Sequence, residues 1–175
     1  RIGPLITKEH FERVAGFVER AKQAGAVPVW GGSKANFGEL YFEPTLFRNV
    51  SPDLEISQRE VFGPVLHVVR YRADRFDEVL RSIERSGYGL TLGVHSRVDS
   101  TIERIVSRAR IGNVYVNRNM IGAVVGTQPF GGSGLSGTGF KAGGPHYLLR
   151  FALEQVVSVN TAAAGGNASL IAMGE

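Results

Sequence analysis

The chain has 175 residues, 43% of them hydrophobic and 21% charged, which fits one ordinary globular domain with a real core and excludes a disordered tail. Twenty basic and 16 acidic residues give a net charge of +4. The arginines lie among acids, as in Glu19-Arg20, Arg59-Glu60 and Glu84-Arg85, so the charge reads as a mixed solvated surface rather than a nucleic-acid stripe.

There is no cysteine, so these residues hold no disulfide, no thiolate metal site and no cysteine nucleophile. No apolar run approaches the roughly 18 residues of a membrane span. Charges at Lys8, Glu9, Glu12 and Arg13 break any secretory h-region, and a cytoplasmic location is expected. The chain opens on Arg1-Ile2-Gly3-Pro4-Leu5, which reads as the interior of a larger polypeptide.

Thr7 can cap a helix from about Lys8 to Gln23, because Phe11, Val14, Ala15 and Val18 recur at i, i+3, i+4 and i+7. Gly25 ends it. Short β-rich runs follow at Val27 to Trp30 and Leu40 to Val50, with Pro44 reducing the second to an edge or an interrupted strand. These first residues read as a rim. From Val65 the pattern is regular. Val65 to Tyr71 reads as a strand, and Asp74 to Ser86 as a helix burying Phe76, Val79, Leu80 and Ile83.

Leu90 to His95 is the next strand. Ser100 with Glu103 makes a capping box for a helix carrying Ile102, Ile105, Val106 and Ala109 inward. A further strand covers Asn113 to Asn117. The alternation predicts an α/β fold, a parallel sheet flanked by helices, with ligands beyond the carboxyl ends of the strands.

After Asn117 the composition shifts: 9 of the 23 glycines lie between Gly122 and Gly144, and a loop this long inside a domain is usually functional. Tyr147 to Phe151 reads as a short helix and Gln155 to Asn160 as a strand. Thr161 to Ser169 is small and featureless, and Leu170 to Met173 is slightly apolar.

Gly132-Ser133-Gly134-Leu135-Ser136-Gly137 matches the dinucleotide fingerprint G-x-G-x-x-G, but a strand before it and a helix after it are both missing, so the Rossmann reading is set aside. His10, His67, His95 and His146 lack the short spacing of metal ligands and read as structural. Glu60-Val61-Phe62-Gly63-Pro64 sets a carboxylate and a ring beside a turn before a buried strand. That carboxylate can accept both hydroxyls of a ribose diol, and the ring can pack on a flat heterocycle. On spacing alone, a surface Glu and a core Phe are the better reading of the motif.

Arg59-Glu60-Val61-Phe62-Gly63-Pro64-Val65 with Pro129-Phe130-Gly131-Gly132-Ser133-Gly134-Leu135-Ser136-Gly137 resembles the aldehyde dehydrogenase superfamily. Tyr88-Gly89-Leu90 and Gly112-Asn113-Val114-Tyr115-Val116-Asn117 fit the same order. The stretch Asn117 to Phe130, with Gly143-Gly144-Pro145-His146-Tyr147-Leu148, is similar to glutamate semialdehyde (pyrroline-5-carboxylate) dehydrogenases. Val159 to Ala168 resembles the segment after this domain in bifunctional bacterial proline-utilising proteins.

The resemblance implies the C-terminal part of an NAD-dependent enzyme that oxidises glutamate semialdehyde to glutamate in proline catabolism. In that family a cysteine thiolate attacks the aldehyde, NAD takes the hydride and a glutamate-activated water hydrolyses the thioester. The nucleophile and the main NAD-binding domain are expected upstream, and an FAD-dependent proline dehydrogenase module elsewhere if the parent is bifunctional.

By the same resemblance, Glu60 accepts the nicotinamide-ribose hydroxyls and Phe62 packs beside the nicotinamide. Gly122 and Ala123 bind the α-carboxylate, and Phe130 walls the aliphatic chain. Residues 1–151 are expected to form the partial catalytic domain and 152–175 an oligomerisation strand with the start of an extension, in a homo-oligomer. The other reading is a noncatalytic assembly or binding module of the same fold.

Overall fold

The computed structural model describes residues 2–124 and 126–160. Thr7 closes the amino end of helix α1 (Lys8–Gln23) by accepting the His10 amide on its Oγ1 at 3.1 Å, as the sequence predicts. At the other end Gly25 takes φ +91° and its amide reaches the Lys22 carbonyl at 3.0 Å. This left-handed turn lets the chain reverse without a Cβ penalty.

The helix buries Val14, Phe17, Val18 and Ala21 on a sheet made of β1 (Val27–Trp30), β2 (Thr45–Arg48) and β3 (Val65–His67). Strand β2 is central, antiparallel to β1 and parallel to β3. The interruption expected at Pro44 is real, since only Thr45–Arg48 forms a strand. An edge position is ruled out by the pairing on both sides.

The amino-terminal part is therefore no rim. It carries the larger core, with Phe47, Val14 and Val18 fully buried beside Leu5, Ala26, Phe42, Val50 and Ile56. Burying each large side chain stabilises the fold by about 1.5–3 kcal/mol, and α1 with β2 gives those side chains a common partner surface.

Beneath this layer the short helix α2 (Glu55–Gln58) offers Glu55 to Arg20 at 2.7 Å and to Arg59 at 3.2 Å. The Arg20 hydrogen bond, with both guanidinium charges, holds the Glu55 carboxyl below its ordinary range. Being near the surface, the cluster fixes geometry more than it stabilises.

The second layer begins with a 3₁₀ turn (Ala73–Arg75) leading into α3 (Phe76–Arg85), then β4 (Tyr88–Gly89), β5 (Thr91–Val94), α4 (Asp99–Arg108) and β6 (Asn113–Val116). Strands β5 and β6 are parallel and in register from Thr91–Asn113 to Val94–Val116. The core between them and the helices contains Leu80, Val94 and Ile105, packed by Phe76, Leu92, Ile102, Val114 and Val116.

The parallel sheet is thus smaller than predicted. β3 joins β2 instead of β5, because α1 supplies the apolar face that its own side chains need. Val106, expected inward, is 46% exposed, since α4 presents a narrower stripe to a two-stranded sheet.

The capping box is absent as well. Helix α4 starts two residues earlier, at Asp99, with Val98 as its N-cap and no side-chain bond. Ser96 Oγ accepts the Val98 amide at 3.1 Å and Asn117 brackets Ser96 with bonds of 2.9 and 2.8 Å, fixing the turn that leads into the helix.

Strand β7 (Ser133–Gly134) pairs antiparallel with β4, and a 3₁₀ turn covers Tyr147–Phe151. Residues 152–160 form neither helix nor strand and are exposed, so the strand expected at Gln155 to Asn160 does not form in this chain. A strand needs a ladder partner, and its side chains Val156, Val157 and Val159 are 85%, 74% and 72% exposed. The expectations for 161–175 lie outside the described residues. Among the described residues no helix is long and apolar enough to cross a membrane.

His67, on β3, is half-buried, and that burial pushes its imidazolium pKa below the ordinary 6.5. Since the unfolded chain binds the proton at higher pH than the folded one, stability is full above the unfolded value and falls as pH drops through the folded one. In the full-length protein the thermal midpoint should fall between about pH 7 and pH 5, and His67→Gln should flatten that slope. Equal slopes in both proteins would rule His67 out as a contributor.

Candidate functional site

Glu60, Val61 and Phe62 form the turn between α2 and β3, and three neighbours hold it from different directions. The Glu60 amide points to Tyr88 Oη at 3.4 Å, linking the turn to β4. His10 Nε2 lies 2.7 Å from the Phe62 carbonyl, a distance that places a donated N–H on that oxygen. One helical turn along α1, Val14 packs so closely under Gly63 that an added Cβ would sit 2.8 and 2.9 Å from its two methyl carbons.

Held this way, Phe62 adopts φ +54°, a left-handed conformation that is costly for a bulky residue and persists only where the surroundings over-determine it. The ring is 68% exposed. It is not the core Phe that spacing alone permits. Glu60 is exposed and takes part in none of the ion pairs formed among the described residues.

An uncommitted carboxylate and a presented ring, two residues apart on a strained, braced turn, suit a diol and a flat heterocycle. No spacing rule points to His10, which is 52 residues from its partner; only the packing of α1 on the sheet brings it there.

The loop after β6 begins at the carboxyl end of the parallel pair. Asn117 (φ +52°) clamps Ser96 across that end, and Asn119 Oδ1 accepts the Ile121 amide at 2.8 Å. Gly122 follows with φ +71°, and a Cβ placed on it would meet nothing within 4 Å. Its backbone is open to an approaching group, in the position where ligands bind parallel sheets. Ala123 is half-buried beside it.

Phe130 lies elsewhere. The loop carries it back toward the amino end of β6, where its amide and carbonyl bond Ala142 at 3.1 and 2.9 Å. The structure thus places Gly122 and Ala123 in the loop past the carboxyl end of β6 and Phe130 near the amino end of that strand, between two residues bonded by Asn113.

Tyr115 Oη on β6 and Gln128 Oε1 on the loop are buried with no hydrogen-bond partner among the described residues. The G-x-G-x-x-G run is a folded turn on β4. Ser133 and Gly134 pair with Gly89 and Tyr88, and Cβ atoms on Gly132, Gly134 or Gly137 would collide with neighbouring backbone. Those glycines serve close packing and no phosphate helix follows them.

A cleft of about 260 Å³ between α3, α4 and this turn, lined by Leu80, Tyr88, Leu92, Arg108 and Arg110 among others, contains none of the five sequence-predicted residues. At a neighbouring mouth Asp77 accepts from Arg104 at 2.7 Å and pairs with Arg108. Burial pushes the Asp77 carboxyl up, but the guanidinium groups outweigh it and hold the group below its ordinary range. Among the described residues no group of acids and histidines could hold a metal ion.

The aldehyde dehydrogenase family pattern matches residues 1–157, and the chain belongs to that family. Its relatives narrow the comparison further. Bifunctional protein PutA of Rhizobium meliloti is 49% identical over 149 residues, covering 85% of this chain and 12% of that protein. 1-Pyrroline-5-carboxylate dehydrogenase of Geobacillus kaustophilus is 38% identical over 157 residues, covering 90% and 30%.

Among solved structures, a bifunctional proline utilization A protein superposes with TM-score 0.78 at 56% identity, over 93% of this chain and 16% of that one. A 1-pyrroline-5-carboxylate dehydrogenase from Thermus with bound NAD gives 0.78 at 39% identity, over 85% and 28%. The chain therefore spans between about an eighth and a third of the relatives it matches.

Proposed function

We propose that the chain is the C-terminal part of an NAD-dependent L-glutamate γ-semialdehyde (pyrroline-5-carboxylate) dehydrogenase, acting in proline catabolism within a larger, bifunctional parent. The observation that carries this reading is the braced Glu60–Phe62 turn, with a free carboxylate and an exposed ring on a strained backbone, in a chain 49% identical to bifunctional protein PutA.

Glu60 would hold the ribose hydroxyls and Phe62 would pack on the nicotinamide face. NAD, when bound, supplies the two-electron acceptor for the aldehyde carbon. The open amides at Gly122 and Ala123 would receive the α-carboxylate, which reaches the main chain only past small side chains, and Phe130 would wall the aliphatic part.

The thiol has to come from outside these residues, which contain no cysteine. The parent would be a cytoplasmic homo-oligomer, in which Gln155 to Asn160 pairs with a neighbouring subunit's sheet. Its proline dehydrogenase module would carry FAD. The absence of a cysteine favours one other reading, a noncatalytic assembly module of the same fold.

The deciding experiment measures NADH formation by the full-length protein with glutamate semialdehyde, beside its Glu60→Gln variant. Gln keeps the shape and removes the charge, so a charge-assisted bond of about 1.5–3 kcal/mol is weakened and the KM for NAD should rise about tenfold or more. An inactive full-length protein would favour the assembly module. An active one indifferent to Glu60→Gln would remove the ribose role.

A further inference from the structure

The side chain of Asn113, the first residue of β6, straddles Phe130. Its Nδ2 donates to the Pro129 carbonyl at 3.0 Å and its Oδ1 accepts the Gly131 amide at 3.2 Å. The two bonds use opposite ends of one carboxamide, so the group has a single satisfied orientation. Lys141 Nζ, from the far side of the loop, donates to the Gly131 carbonyl at 2.5 Å.

Phe130 itself bonds Ala142 in both directions. Three consecutive residues are thus held by five bonds to their backbone, centred on Phe130. The approach is close because Gly112, beside Asn113, has no side chain: a Cβ there would run into the Gly131 carbonyl. Asn113 is also rigid, its amide bonded to the Leu90 carbonyl at 3.0 Å and its backbone in register with Thr91.

A chain that merely turned at Phe130 would need the pairing with Ala142 alone. The added two-sided carboxamide fixes where the ring stands relative to β6, the strand whose other end leads to Gly122 and Ala123. We infer that Asn113, assisted by Lys141, is a positioning residue that sets the distance between Phe130 and the Gly122–Ala123 anchor, and so favours aldehydes carrying an amino-acid head over plain ones.

This rests on the reading given under Proposed function, and it goes further by naming what measures the length of the pocket. A strand that clamps one end of a site and leads by a short loop to the other is placed to set such a distance.

The test uses the full-length protein with Asn113→Ala, which loses both bonds, and Asn113→Asp, which keeps the acceptor and loses the donor. With Asn113→Ala the ratio of kcat/KM for glutamate semialdehyde over propanal should fall on the order of tenfold, mainly through KM. The KM for NAD should move less than about twofold. Amide exchange over 128–134 should quicken while exchange over 60–66 stays as it was, and Asn113→Asp should fall between the two.

Unchanged exchange over 128–134, or equal losses with both aldehydes, would overturn the positioning role. A wild-type protein that leaves glutamate semialdehyde untouched would instead overturn the proposed function, and the exchange result would still decide whether Asn113 places Phe130.

Discussion

Purified alone, the 175-residue chain should leave glutamate semialdehyde and NAD unreacted. The family's chemistry runs through a thiohemiacetal on a cysteine, and the chain has none. The two serine hydroxyls of the Gly-rich loop are no substitute. Ser133 Oγ donates to the Arg110 carbonyl at 3.1 Å and Ser136 Oγ accepts the Gly89 amide at 3.1 Å, and neither partner can take a hydroxyl proton as a general base.

The expected loss relative to the full-length protein is at least about a millionfold, the low end of what enzymes contribute, and NADH absorbance measures it. Aldehyde-dependent NADH formation that survived a control for host enzymes would show that these residues contain a nucleophile of another kind.

The Gly122→Val substitution in the full-length protein should be severe for one substrate only. Gly122 stands at φ +71° with open space where a Cβ would go, so valine adds backbone strain of roughly 1–2 kcal/mol and fills the approach to the amides. Losing a charge-assisted bond to the carboxylate costs a further 1.5–3 kcal/mol, roughly, and two such bonds bring the fall in kcat/KM for glutamate semialdehyde to about a hundredfold or more.

Propanal has no carboxylate to anchor and should lose far less. Gly122→Ala, smaller and less strained, should lie between wild type and valine for the semialdehyde. Equal losses for both aldehydes would make the loop scaffold, and no loss for either would place the anchor elsewhere.

Where a bond joins near neighbours, the sequence was a sufficient guide. Thr7 caps α1 three residues from His10, Gly25 ends it, and Thr91–Val94 and Asn113–Val116 flank α4 as alternation predicts. Such bonds depend on local geometry and periodicity, which spacing encodes. The capping box failed for an equally physical reason: Ser96 and Asn117, 21 residues apart, fix the start of α4 together.

Glu60 and Phe62 were legible as types suited to a diol and a flat ring, whereas Gly122, Ala123 and Phe130 were singled out by the family resemblance. What each does in space was not legible. Only the folded chain puts β3 beside β2, which makes the first layer a core instead of a rim. It alone brings His10 to Phe62 and Asn113 to both neighbours of Phe130.

Length, charge, absence of cysteine, helix ends and motif chemistry were thus determined by the sequence, because they are properties of residues or of short stretches. The strained presentation of Phe62 and the clamp on Phe130 were decided by tertiary structure. Each depends on contacts between segments far apart in the chain, whose meeting is fixed by which apolar faces can be buried together.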